Sequence, residues 1–343
     1  MNSMNKIFFR LNTFLTSVIL LSSFILQGQA QTDHLSSGRW ALHTVQATER
    51  WEDAFVTGNG RHGTMVMGQV GKERITQVHE EIFLRNWDRK IVGVPDISEH
   101  LPEMRRLIAN GKNKQAGFVH GKAIEQTNKM GAEKVWELTP HPAFDLCVDH
   151  ATIEKPVSYN NQLDLETGQV LTRWKIKNQG VEQRVFSSQS KNVNVVSLKA
   201  MEGQRLNLNL SLKETPGREG MHYDFDLDDA FKSISTESEM SDKNTAWLNY
   251  HADYQVDQGG YEGLARITIK GGKMLDQENG LTIKNADEIL IIIRVIPLED
   301  GSQTKLEEVK TELTEMPLEY TDLLTPHAKK HGEMFRRVTL DLG

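Results

Sequence analysis

Gln169-Val170-Leu171-Thr172-Arg173-Trp174-Lys175-Ile176-Lys177 sets Val170, Thr172, Trp174 and Ile176 against Leu171, Arg173 and Lys175. Side chains of a strand alternate between faces, so this period-two pattern predicts a strand. Lys177-Asn178-Gln179-Gly180 reads as a hairpin turn, and Val181–Ser187 repeats the pattern after it. Working outward, Met65-Val66-Met67 follows a glycine-rich turn, and Val193–Lys199, Leu206–Leu212, Ala265–Lys270 and Ile289–Ile296 continue the series. The last is nearly all β-branched, as expected of a strand buried on both faces. Strands at this spacing, with turn residues between them, predict a mainly β sandwich of antiparallel sheets rather than a βαβ fold.

A few short helices interrupt the strands. Ser98 is the expected N-cap of a helix over Glu99–Asn110, with Leu101, Met104, Leu107 and Ile108 on one face and Gly111 as the stop. A shorter, more polar helix is expected over Thr304–Leu313. Another is expected from Pro326 to about Arg336, with Pro326 at its first position. Lys213–Lys243, rich in Asp, Glu and Ser, reads as a surface excursion. No internal repeat is visible.

The 343 residues carry 40 Lys and Arg against 47 Asp and Glu, a net charge of −7 with no basic block, which argues against a nucleic-acid partner. Residues 1–30 read as a separate object. Lys6 and Arg10 precede an apolar run from Thr13 to Leu26, then Gly28-Gln29-Ala30, which is the pattern of a secretory signal cleaved near Ala30. The run is short for a membrane span, so no stable membrane anchor is expected and the address is periplasm or medium. Cys147 is the single cysteine, so no internal disulfide can form. It reads as a small buried residue.

Several motifs fail on their context. Gly58-Asn59-Gly60-Arg61-His62-Gly63 fits G-x-G-x-x-G, but strand residues follow it where a dinucleotide site needs a helix. It reads instead as a glycine turn between two strands, projecting Asn59 or Arg61 from the sheet end. His79-Glu80-Glu81 lacks the second histidine of a zinc-protease helix. His327 and His331 share i, i+4 spacing without a third ligand and read as solvated helix histidines. Asp224, Asp226, Asp228 and Asp229 lack the glycine and the final carboxylate of a calcium loop, so an acidic strand face is expected. No cofactor and no metal is expected. With so many carboxyl groups, no acid and base pair can be chosen from spacing.

Read in order, several phrases resemble the N-terminal region of glycoside hydrolase family 95, the α-L-fucosidases and related α-L-galactosidases. Trp51-Glu52-Asp53-Ala54-Phe55-Val56-Thr57-Gly58-Asn59-Gly60-Arg61-His62-Gly63 is similar to that family's opening phrase. Met65-Val66-Met67-Gly68 and Glu73-Arg74-Ile75 follow in order. Leu101-Pro102-Glu103-Met104-Arg105-Arg106-Leu107-Ile108 with Gly111-Lys112, Leu163-Asp164-Leu165-Glu166-Thr167 and Arg184-Val185-Phe186-Ser187-Ser188 resemble further phrases. Phe335-Arg336-Arg337-Val338-Thr339-Leu340-Asp341-Leu342-Gly343 resembles the segment leading to the helical part of those enzymes. Two departures bear on the sugar: His62 stands where Leu is usual, and His79–Leu84 differs from the family's Asn-Glu-Asp-Thr-Leu-Trp.

The resemblance implies a β-supersandwich over residues 31–303 and a helical linker over 304–343, leading toward a helical toroid that holds the catalytic carboxylates and is not in this chain. The expected function is the non-catalytic N-terminal domain of an exported hydrolase resembling an inverting α-L-fucosidase, acting on a fucose-containing or related glycan. The expected partner is the helical catalytic domain. No catalytic residue is assigned to this chain. Asn59 and Arg61 are the candidates for reaching a sugar across the interface, with Trp136 and His141 as weaker ones. The alternative is a stand-alone carbohydrate-binding or scaffold module.

Overall fold

The structure, a computed structural model, describes residues 40–84, 98–129, 139–151, 154–177, 179–201, 203–215, 231–255 and 258–340. The described residues from Leu42 onward form one compact unit. In chain order the first elements are β1 (Ala41–Thr44), β2 (Phe55–Gly58), β3 (His62–Val66), β4 (Lys72–His79), β5 (Phe83–Leu84), α1 (Leu101–Ala109) and α2 (Asn113–Lys129). There follow β6 (Thr139–Pro140), β7 (Phe144–His150), β8 (Ser158–Asp164), β9 (Gln169–Ile176), β10 (Gln179–Ser187), β11 (Asn194–Met201) and β12 (Leu206–Lys213). The last are β13 (Phe231–Met240), β14 (Thr245–Tyr254), β15 (Gly260–Lys270), β16 (Lys273–Gln277), β17 (Gly280–Ala286), β18 (Glu288–Leu298), α3 (Leu306–Thr314) and α4 (Tyr320–Phe335).

One sheet has the order β1-β8-β9-β10-β11-β18-β15-β14-β13 and the other β16-β17-β12-β7-β4-β3-β2, with β5 and β6 as a separate pair. The molecule is a mainly β sandwich of two large antiparallel sheets. The β9–β10 hairpin pairs Val181 with Trp174 and Val185 with Val170, the register its alternation demands.

β18 explains how the layers stack. Ile289, Ile291, Ile293 and Val295 face the other sheet and join Phe144, Leu146 and Val148 of β7 and Leu208, Leu210 and Leu212 of β12. Leu290, Ile292, Ile296 and Leu298 face the opposite way, onto Val309 and Leu313 of α3 and Leu323 of α4. Both faces of one strand are therefore core, which is why its sequence does not alternate. Each such side chain contributes roughly 1.5–3 kcal/mol by leaving water.

Across this core Gly263 of β15 lies under the Phe144 ring, and a Cβ there would fall 2.2 Å from Phe144 Cε1. Phe144 is fully buried and stacked on Tyr250, so it has no room to retreat. Gly263→Ala is expected to lower the unfolding free energy in urea by about 3 kcal/mol, the upper end of overpacking costs. A loss under about 1 kcal/mol would show that the ring yields.

Four local expectations need correction. The first helix does not start from Ser98. Ser98–His100 is a 3-10 turn, and His100 occupies the cap position of α1 without a side-chain bond. Of its proposed face, Leu107 is buried while Ile108 is exposed. α2 was not expected, because Gly117 and Gly121 weaken its helical signal. Its buried Ala116 and the buried Leu107 of α1 mark a helical hairpin held by tertiary contact.

The excursion over Lys213–Lys243 contains a ten-residue edge strand, β13. Its half-buried side includes the polar Thr236 and Ser238, which hid the alternation. Asp224, Asp226, Asp228 and Asp229 lie outside the described residues. Finally, Pro326 lies inside α4, six residues after its start. An interior proline forfeits a helical hydrogen bond. Burial of Leu323 and the bond from Tyr320 Oη to Gln169 Oε1 (2.8 Å) hold the helix regardless.

Candidate functional site

The β2–β3 turn is built around Asn59. Its Oδ1 accepts from the backbone N–H groups of Arg61 (2.9 Å) and His62 (2.7 Å), and Gly60 takes φ +93°, which favours glycine. Its Nδ2 donates to Ser188 O (2.8 Å) and Asn192 Oδ1 (3.3 Å) on the β10–β11 turn. Asn59 is thus engaged at both ends inside the domain and does not offer its amide outward. Arg61 points into solvent, with Glu80 at 3.3 Å.

Under this turn lies a buried polar layer. His62 Nδ1 sits 3.1 Å from Asn192 Oδ1, and His62 Nε2 lies 3.2 Å from both the N–H and the carbonyl of Val295. Burial, followed by the neighbouring His79, lowers the His62 pKa to about 4. Asn194, also buried, donates to Gly63 O and Gln77 Oε1 and accepts from Ser187 Oγ. A sandwich end with this many paired polar groups is fixed in geometry.

α4 is fastened to the same end. His327 is buried, contrary to the expectation of a solvated ring. It accepts from Gln189 N–H at Nδ1 (3.1 Å), faces Thr167 O at Nε2 (2.8 Å) and stacks on Phe186 at 4.6 Å. Desolvation lowers its pKa to about 4. His331 Nε2 lies 3.1 Å from Leu165 O, so it too is tied to the sheet rather than free. Lys330 Nζ donates to Gln189 O (2.8 Å), and Gln189 Nε2 donates to Gly58 O (3.2 Å).

Between Arg61, the Ser188–Asn192 turn and Lys330 lies an open depression of about 370 Å³. Among the described residues no carboxyl group lines it. It can donate hydrogen bonds to a ligand, but it has no acid and base for glycoside cleavage. A second depression, of about 240 Å³, does gather Glu81, Glu299 and Asp300. Asp300 accepts from Ser302 N–H and Oγ–H, which hold its carboxyl below the usual range, the reverse of what a proton donor needs. Glu73 has a carboxyl raised to about 8 by burial, yet it is 2% exposed and its Oε1 accepts from Met67 and Gly68 N–H groups. It is out of a substrate's reach.

The family described as "Glycosyl hydrolase family 65, N-terminal domain" matches residues 42–296. The chain belongs to that family. The match sets this family 65 N-terminal domain among the β-domains of glycoside hydrolases, and does so without singling out family 95, whose phrases the sequence resembles. No curated protein matches the chain. A solved structure named "Putative kojibiose phosphorylase from human microbiome" matches with 10% identity and a TM-score of 0.47, over 88% of this chain and 38% of that one. The chain therefore spans well under half the length of that similar protein.

Within the family 65 N-terminal domain, the remaining candidates part company with the turn. His141 is buried at a different place, with Nε2 2.9 Å from Tyr254 Oη and its ring packed among Phe231, Tyr254 and Tyr261. It is a core group. Trp136 lies outside the described residues. Sequence reading missed Lys330 and the Ser188–Asn192 turn, whose one available signal was the i, i+4 pair His327 and His331 on the same helix. Among the described residues no group of three or more His, Cys, Asp or Glu is placed to hold a metal ion, and no helix is long and apolar enough to cross a membrane.

Proposed function

We infer that this chain is the non-catalytic N-terminal β-domain of an exported glycoside hydrolase resembling an inverting family 95 α-L-fucosidase. In this reading it braces a helical catalytic domain, the carboxylate pair lies in that domain, and the natural substrate is a fucose-containing or related glycan. Residues 1–30 act as the secretory signal.

One observation carries the reading: the Arg61 turn and α4 are bolted together at one end of the sandwich around a depression that no carboxyl group lines among the described residues. A helix that leads toward a catalytic domain must leave the sheet at a fixed angle, and His327, Lys330 and His331 supply that fixity. Sugar sites commonly form between domains. Arg61 then forms the wall and offers a guanidinium to hydroxyl groups, while Asn59 keeps the turn rigid behind it.

The test joins this chain after Gly343 to the helical catalytic domain of a family 95 α-L-fucosidase. Arg61→Ala in that protein is expected to lower kcat/KM on a fucosyl oligosaccharide about tenfold, equal to about 1.4 kcal/mol, with an unchanged melting temperature. Unchanged kcat/KM would remove Arg61 from the cleft.

A further inference from the structure

The hydrogen bonds around the depression between the Arg61 turn, the Ser188–Asn192 turn and Lys330 are spent unevenly. Its acceptors are mostly used within the protein. Asn59 Oδ1 takes the N–H groups of Arg61 and His62, and Asn192 Oδ1 takes Asn59 Nδ2–H and faces His62 Nδ1. Ser188 O accepts from Asn59 Nδ2, and Gln189 O accepts from Lys330 Nζ. Ser188 is fully buried, and its Oγ accepts the N–H groups of Ser190 (3.3 Å) and Lys191 (3.1 Å).

Its donors are left over. A hydroxyl has two lone pairs and one proton, so with both pairs taken Ser188 gives its proton to Ser190 Oγ, 3.2 Å away. The proton of the exposed Ser190 hydroxyl is thereby left for a ligand. Lys330 spends one N–H on Gln189 O and, among the described residues, has no carboxylate within ion-pair distance. Arg61 Nε lies 3.3 Å from Glu80 Oε1, and the other N–H groups of its guanidinium have no partner among the described residues. Glu80 offsets one of these two cations and does not line the depression.

Unspent donors beside spent acceptors, with a cation in surplus, favour an oxyanion over a hydroxyl. A hydroxyl needs an acceptor for its own proton, whereas an oxyanion only accepts, and charge-assisted bonds are roughly twice as strong as neutral ones. We propose that this depression binds an oxyanion carried by a glycan, a sulfate ester or a carboxylate, held by Arg61, Lys330 and Ser190. That the oxyanion belongs to a glycan rests on the proposed function; the surplus of donors does not. The wall of the cleft then selects acidic over neutral glycans by charge.

The test is a titration of the intact chain at constant ionic strength, followed by NMR at Arg61 Nε and Lys330 Nζ. The probes are methyl α-L-fucopyranoside, its 3-O-sulfate, methyl β-D-glucuronate and sodium sulfate. At least one charged glycoside is expected to bind about tenfold more tightly than the neutral one, and which of the two does so identifies the oxyanion. Its affinity should fall about threefold when sodium chloride is raised from about 50 to about 200 mM. Arg61→Gln and Lys330→Gln are each expected to weaken it about fivefold, with little change in melting temperature. The proposal is overturned if neither charged glycoside binds better than the neutral one, or if both variants bind as well as the parent. Sodium sulfate binding as tightly as either charged glycoside overturns the assignment to a glycan. If no charged glycoside is preferred while Arg61→Ala still lowers kcat/KM in the fused protein, the oxyanion site falls and the cleft wall stands. The reverse pattern removes the wall and keeps the oxyanion site.

Discussion

His327→Ala is expected to lower the unfolding free energy by about 3–4 kcal/mol. The ring is 1% exposed, stacks on Phe186 and bonds two backbone groups of different turns. Its removal leaves a cavity and strands the Gln189 N–H and Thr167 carbonyl, and each of those terms costs on the order of 1–3 kcal/mol. Alanine's higher helix propensity offsets only about 0.5 kcal/mol of that loss. Urea denaturation gives the number, and hydrogen exchange should show the amides of α4 opening before those of β18. A loss below about 1 kcal/mol would mean that α4 is held by Leu323 and Tyr320 alone. Lys330→Ala, which removes one exposed contact to Gln189 O, should cost under about 0.5 kcal/mol.

Stability should pass through a maximum near pH 6.5. Burial lowers His62, His150 and His327 to about 4 from 6.5, so in the folded state they stay neutral where the unfolded chain binds protons. Each therefore withdraws stability as pH falls from 6.5 toward 4, by up to roughly 3 kcal/mol. Glu73 works in the opposite direction. Its folded pKa of about 8 against 4.5 means that the folded state holds a proton the unfolded chain has lost, so stability falls as pH rises from 4.5 to 8. Three histidines outweigh one carboxyl below pH 6.5, and above it Glu73 acts alone. Glu73→Gln keeps an oxygen for Met67 and Gly68 N–H and removes the titration. It is expected to stabilise the protein by a few kcal/mol at pH 8 and hardly at all at pH 4.5. Melting curves from pH 4 to 9 for both proteins check this. An alkaline limb unchanged by Glu73→Gln would contradict it.

What could be read in the sequence was what one segment says about itself. The run Ile289–Ile296 announced a strand buried on both faces, and β18 is that strand. The glycines around Asn59 announced a turn. What could not be read was the far partner. Asn59 is held by Ser188, 129 positions away, and no local signal tells a free amide from one so engaged. His327 and His331 looked solvated because their helix is polar, yet contact with the Thr167 and Gln189 turns buries His327, and His331 is half-buried against Leu165 O. Pro326 misled for a related reason: tertiary packing overrode a local rule about where prolines sit. The family resemblance supplied the expected chemistry, since no pair of carboxyl groups could be chosen from spacing.

The account stands on the claim that this domain supports glycoside cleavage without performing it. The direct measurement is release of nitrophenol from 4-nitrophenyl α-L-fucoside by the intact chain alone. The predicted result is no release above buffer across pH 4–9. Steady turnover at an enzymatic rate, undiminished in Arg61→Ala, would place a working acid and base within these residues and contradict the claim.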